Sequence, residues 1–172
     1  MIGDKLLRAI NEQIKEELES AYIYYAMSAY FHAKGFDGMA QWMHAQTLEE
    51  LTHAQKFFDH ILERDGKVAL MPLGIKKTEW SSPLEAFQDA YKHEQFITGK
   101  INDLVALARE ERDFAAEAML QWFVDEQVEE ESSVSKVAQD LSLVGDNGHG
   151  LLMLDRELGT RLFTLPQDKQ GN

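Results

Sequence analysis

Four stretches of this chain repeat apolar residues at spacings of three and four, turn after turn. The first gives Leu7, Ile10, Ile14, Glu17, Ala21, Tyr24, Ser28 and Phe31, and the second Met43, Gln46, Glu50, His53 with Ala54, Phe57 and Ile61. The third gives Leu84, Phe87, Tyr91, Glu94, Ile97, Ile101, Leu104 and Ala108, and the fourth Ala116, Leu120, Phe123, Gln127, Glu130, Val134, Val137 and Leu141. That period puts one continuous stripe on an α-helix and requires a partner to cover it. Four such helices of similar length satisfy each other as a bundle, so the fold class is all-α. No segment alternates as a half-buried strand would.

Chain punctuation sets the bounds of one domain over 1–172. Helices are predicted at about 5–34, 38–65, 83–110, 114–144 and 148–160. Asp4, Asp37 and Asp113 stand where N-caps belong, and Gly35 and Gly66 where helices stop. Ser82, Pro83 and Glu85 read as a capping box with proline at the first helical position. The stretch GKVALMPLGIKKTEWS separates the second and third helices without a helical period, and GDNGHG breaks the fourth. LLMLDREL makes a short fifth helix, and a polar tail expected to be loose follows it.

Each long stripe is broken by an acid at one place. The predicted helices have midpoints near residues 19, 51, 96 and 129, and Glu17, Glu50, Glu94 and Glu130 all lie within about three residues of them, or about 4 Å at 1.5 Å per residue. In an up-and-down bundle these positions share one level, so four carboxylates meet in the core with His53 one turn from Glu50. Unanswered, each buried ion would cost several kcal/mol, and the four would repel one another. Two divalent cations answer the charge directly. Hard oxygen donors with one neutral imidazole suit iron or manganese. Glu50-x-x-His53 alone is weak, since the chain holds six histidines and many glutamates; the joint pattern of four stripes carries the inference. His32, His44, His60 and His149 have no matching acid partner, His93 lies off its stripe, and Met27, Met39 and Met43 read as packing.

Charge and composition exclude other classes. A formal net charge of −13 argues against a nucleic-acid partner, since phosphate neutralisation needs a basic patch. Zero cysteines remove disulfides and thiolate metal sites. No apolar run approaches the roughly 20 residues of a membrane span and the start lacks a signal-peptide core, so the cytoplasm is the expected location.

With these residues in place, the chain resembles the prokaryotic non-haem ferritins. Glu17 on the first helix, Glu50-x-x-His53 on the second, Glu94 on the third and EQVEEE at 126–131 on the fourth are similar to the ferritin di-iron site. The long connection also fits, since about 16 extended residues reach along a ~42 Å helix and make the second and third helices parallel. The resemblance implies that Glu17, Glu50 and His53 hold one iron, that Glu50 bridges to a second, and that Glu94 and Glu130 complete it with Gln127 alongside. It implies that Tyr24 neighbours the pair, and that Glu49, Glu126 and Glu129 form a third iron site. It further implies ferroxidase activity on Fe²⁺ with O₂ or H₂O₂, self-association into a twenty-four-subunit cage, and storage of ferric mineral. The fifth helix would then pack around a four-fold axis. Haem is not expected: Gln127-Val-Glu-Glu130 replaces the second Glu-x-x-His of bacterioferritins, and Leu51 stands where they place a haem-ligating methionine. The alternatives are a non-storing di-iron oxidase or peroxidase, a haem-containing bacterioferritin, and a structural four-helix bundle that binds no metal.

Overall fold

The computed structural model describes residues 1–74 and 77–164; the end of the polar tail, 165–172, and positions 75 and 76 of the long connection lie outside the described residues. Five helices make up the fold, α1 Asp4–Lys34, α2 Asp37–Leu62, α3 Pro83–Glu110, α4 Phe114–Val144 and α5 Gly148–Leu158, with no strand among the described residues.

α1 and α2 form an antiparallel hairpin, and α3 and α4 a second one. The first turns at Gly35, whose left-handed backbone (φ 80°) is a conformation open to glycine without a Cβ penalty. It lets the next amide, Phe36 N, reach the Phe31 carbonyl at 3.0 Å while Gly35 N donates to His32 O at 3.1 Å. The connection between hairpins runs along α1. Asn11 donates to the Lys67 carbonyl at 3.2 Å and accepts from the Ala69 amide at 2.6 Å, and Glu19 accepts from the Gly74 amide at 3.0 Å. Trp80 then stacks edge-on to Tyr30 at 5.3 Å. The strap thus travels the bundle's length parallel to α1, and α3 starts at the same end as α2.

Local caps depart from the sequence expectation in four places. Asp4 and Asp37 are the first helical residues, behind Gly3 and Phe36, and neither N-cap residue makes a side-chain capping bond. α2 ends at Leu62, and the left-handed position falls on Asp65 (φ 56°) rather than on Gly66. Gly66 answers to space instead, because a Cβ there would lie 2.8 Å from Ile61 Cγ2. At α3, Ser82 accepts from the Glu85 amide at 3.1 Å, but the Glu85 carboxylate reaches back to Ser81, not to Ser82. Asp113 does cap α4, accepting from Ala116 N at 3.1 Å.

The apolar core comes in two halves. One joins the end of α1, the starts of α2 and α3 and the end of α4, and holds Met27, Phe31, Met39, Met43, Phe87 and Leu141. The other joins the opposite ends through Leu6, Ile10, Phe57, Ile101, Leu120 and Phe123, with Phe57 stacked on Phe123 at 4.1 Å. Each large side chain so buried stabilises the fold by roughly 1.5–3 kcal/mol. Between the halves lies a polar layer, and it is made of the mid-helix acids.

α5 packs across the start of α2. Asp155 accepts from the Met39 amide at 2.8 Å, so its carboxylate lies against the positive end of the α2 dipole. The contact is backbone on backbone: a Cβ on Gly38 would fall 1.6 Å from the Asp155 carbonyl oxygen. Gly38→Ala is therefore expected to weaken α5 docking by about 1–3 kcal/mol. Amide hydrogen exchange over 148–158 should accelerate while α1, α3 and α4 keep their protection; unchanged exchange in α5 would refute this contact.

Candidate metal centre

α1 contributes Gln13, Glu17 and Tyr24 to the polar layer, α2 contributes Gln46, Glu50 and His53, α3 Glu94, and α4 Gln127 and Glu130. All nine are buried, Glu94 completely and Glu17 and His53 at 1% exposure. Helix period brings them inward, since each lies three, four or seven residues from an apolar neighbour on the same stripe.

Glu17, Glu50 and His53 offer ligand atoms that all lie within 4.8 Å of one another. Metal–oxygen and metal–nitrogen bonds of about 2.0–2.2 Å put two ligands at most about 4.4 Å apart, so the group could hold a cation once its side chains close in. His53 Nδ1 sits 3.2 Å from Glu50 Oε2. The imidazole is held between Trp122 and Phe123, which meet it edge-on at 5.5 and 5.8 Å. Two buried atoms of this group, Glu17 Oε2 and His53 Nε2, have no hydrogen-bond partner. Buried polar atoms are rarely left so; a metal-binding group is one place where it happens.

Glu94 and Glu130 are poised by neutral donors. Tyr24 OH donates to Glu94 Oε1, and Gln127 Nε2 donates to Glu94 Oε2 at 3.2 Å. Gln46 Nε2 donates to Glu130 Oε2 at 2.8 Å, and Gln13 Nε2 to Glu17 Oε1 at 2.8 Å. Tyr24, four residues before Ser28 on its stripe, thus serves α3 rather than Glu17 on its own helix. Behind it, His93 lies edge-on at 6.4 Å and bonds Ser20 Oγ at 2.7 Å.

The electrostatics are those of acids crowded in a dry place. Burial first, and then Glu50, push the Glu17 carboxyl well above its ordinary range. Burial and then the charges of Glu94 and Glu130 do the same to Glu50. Burial, and then Glu94, lift Glu130 to about 8. Burial also raises Glu94, though Tyr24 and Gln127 oppose it. Without a cation the pocket holds protons; with one it would release them.

The three outer glutamates are placed differently. Glu126 is partly buried and forms a second group with His53 and Glu130, again with ligand atoms within 4.8 Å. Glu49 is partly buried and ion-paired to Arg161 at 2.5 Å. Burial raises its carboxyl and Arg161 opposes the rise. Glu129 is exposed and belongs to neither group. Among the other histidines, His32 does face an acid, Asp37 at 2.9 Å, but on the exposed α1–α2 turn.

Sequence reading did not single out Gln13, Gln46 as a donor, or Arg161. Gln13 had a signal, since it precedes Glu17 by four residues and side chains at that spacing share a face. Gln46 stands likewise before Glu50, but its bond goes to Glu130 on another helix. Arg161 had none.

Three comparisons bear on this arrangement. Residues 7–144 match the family described as Ferritin, ferritin-like domain. A bacterial non-heme ferritin of Bacteroides fragilis is 38% identical over 161 residues, covering 94% of this chain and 100% of that one. One from Staphylococcus aureus is 36% identical over 163 residues, with 95% and 98% covered. Among solved structures, an open pore ferritin from the hyperthermophilic archaeon Archaeoglobus fulgidus superposes with a TM-score of 0.93 at 44% identity, covering 94% of this chain and 100% of that one. A form of the same ferritin closed by site-directed mutagenesis gives 0.94 at 45%, with 95% and 100% covered.

Proposed function

The chain belongs to the ferritin family, and from that premise we propose that it is an iron-storage ferroxidase, one domain over 1–172 that works in the cytoplasm. Glu17, Glu50 and His53 hold one Fe²⁺. Glu50 bridges to a second, which Glu94 and Glu130 complete beside Gln127. The observation that carries this reading is the layer of mid-helix acids with two orphaned ligand atoms, Glu17 Oε2 and His53 Nε2, between two apolar half-cores.

The apolar halves exclude water, and four carboxylates favour the ferric charge, so the pair of ions is disposed to give up electrons. Two Fe²⁺ supply two electrons. O₂ with two protons leaves as H₂O₂, or H₂O₂ with two protons leaves as two waters. Tyr24 and the amides of Gln13, Gln46 and Gln127 orient the carboxylates, as supporting hydrogen bonds do around metal ligands generally. No step needs haem. Subunits assemble into a twenty-four-membered cage whose hollow receives the ferric product, with the apolar α5 supplying part of the contact between subunits. Native mass and iron retained per subunit test this: a large cage holding far more than two irons per subunit is expected. A small oligomer that turns over Fe²⁺ without retaining it would make the protein an oxidase instead.

Glu49, Glu126 and Glu129 form a third cation position on the same reading, an onward path from the pair. Replacing all three by alanine is expected to preserve a fast first phase at two irons per subunit and to slow regeneration, or change the iron-to-O₂ ratio, on later additions. Stepwise Fe²⁺ titration against dissolved O₂ measures both. Wild-type behaviour on repeated additions would reduce these three glutamates to surface charge.

A further inference from the structure

Arg161 stands three residues beyond the end of α5, yet its side chain reaches back to the edge of the metal centre. One nitrogen, Nη2, donates to Glu49 Oε2 at 2.5 Å and to Gln46 Oε1. Gln46 in turn donates to Glu130 Oε2 at 2.8 Å. The guanidinium lies over the Trp42 ring at 4.3 Å, and its backbone carbonyl accepts from Gln41 Nε2 at 3.3 Å. Its other terminal nitrogen, Nη1, is buried with no acceptor.

We propose that Arg161 is a tethered cation at the third position, holding the Glu49 carboxylate that a third metal ion would need and so keeping that position one for passage rather than retention. The inference rests on the reading of Glu49, Glu126 and Glu129 given above. Arg161 holds Glu49 Oε2, so a cation that takes both carboxylate oxygens displaces the guanidinium, and one that takes Oε1 alone is held beside a fixed positive charge. A departing cation leaves Oε2 to Arg161 again. A fixed positive charge this near also opposes a second one directly. The pose suits an exchange. Leaving Glu49 costs Nη2 its bond to that carboxylate, but Nη1 has a donor free for a new acceptor and Trp42 offers the flat guanidinium a surface to stay on. The anchored backbone keeps it within reach of return.

Calorimetric titration of the assembled, iron-free protein with Zn²⁺, which has no redox chemistry, tests this. In wild type the first two equivalents bind ahead of a weaker third. In Arg161→Gln the third is expected to bind about tenfold tighter, with the first two within about twofold of wild type, whereas Arg161→Lys, which keeps the charge, stays near wild type. Native mass shows that each variant assembles. A third equivalent of equal or lower affinity in Arg161→Gln overturns the proposal while leaving the third position standing. If no third equivalent binds to either protein, the third position itself fails, and the role of Arg161 with it.

Discussion

Glu50→Ala is expected to slow O₂-dependent oxidation of Fe²⁺ by at least about a hundredfold, the upper end of the loss caused by removing a residue that merely supports a metal ligand. Glu50 has the central place. Its carboxylate groups with Glu17 and His53 within 4.8 Å, and it also feels the charges of Glu94 and Glu130. On the proposed reading it is the one side chain that touches both irons, so its loss breaks the pair rather than one half of it. Folding should suffer far less. A buried carboxyl raised so far by its surroundings is a burden to the iron-free protein, and its removal offsets much of the cost of the space it leaves. Stopped-flow oxidation at two Fe²⁺ per subunit, beside thermal unfolding of the iron-free variant, separates the effects. A wild-type oxidation rate would overturn the assignment.

Iron-free protein is expected to lose stability as pH rises, and bound divalent metal to reverse the trend. Glu17, Glu50, Glu94 and Glu130 all have carboxyls raised in the native state, Glu130 to about 8 from an ordinary 4.5. Between those values the native state holds more protons than the unfolded chain. Stability from the neutral carboxyls is therefore fully present below the unfolded value and is lost as pH climbs through the folded ones. For Glu130 the window runs from 4.5 to about 8, worth on the order of several kcal/mol. Cations bind the ionised pocket and displace its protons, so their contribution grows as the protons' fades; at a hundredfold excess over Kd each site adds about 2.7 kcal/mol. Thermal unfolding from about pH 5 to about pH 9, without metal and with Zn²⁺, gives both curves. An iron-free midpoint that rises over this range, or a metal increment indifferent to pH, would contradict the buried-acid layer.

Helical spacing is a local property, and whatever depended on it was legible early. All eight stripe residues assigned to α4 are its buried residues, and the α2 stripe is buried throughout. Height along the helix is equally local, because each residue advances the chain by the same 1.5 Å. That is why Glu17, Glu50, Glu94 and Glu130 could be placed at one level before any contact was known.

Where a second neighbour covers a helix, the stripe changed. Beside its predicted stripe α1 buries Tyr30, on which Trp80 of the strap packs, and Ser20, which meets His93 of α3. At the start of α3, Ala86 and Ala90 are buried while Leu84 and Tyr91 are only partly so. The caps at Asp4 and Asp37 moved by one residue, since a cap needs particular backbone angles as well as a suitable side chain.

Residue types, their faces and their common height were thus written in the chain, for helix geometry converts sequence distance into position without reference to anything else. Which group each carboxylate meets was settled by packing between helices. Tyr24 reaches Glu94 on α3, Gln46 reaches Glu130 on α4, and Arg161 reaches Glu49 across 112 positions of sequence. No spacing rule relates residues so far apart; only the docking of α5 on the start of α2, where Gly38 leaves room for the Asp155 backbone, carries that arginine to its acid.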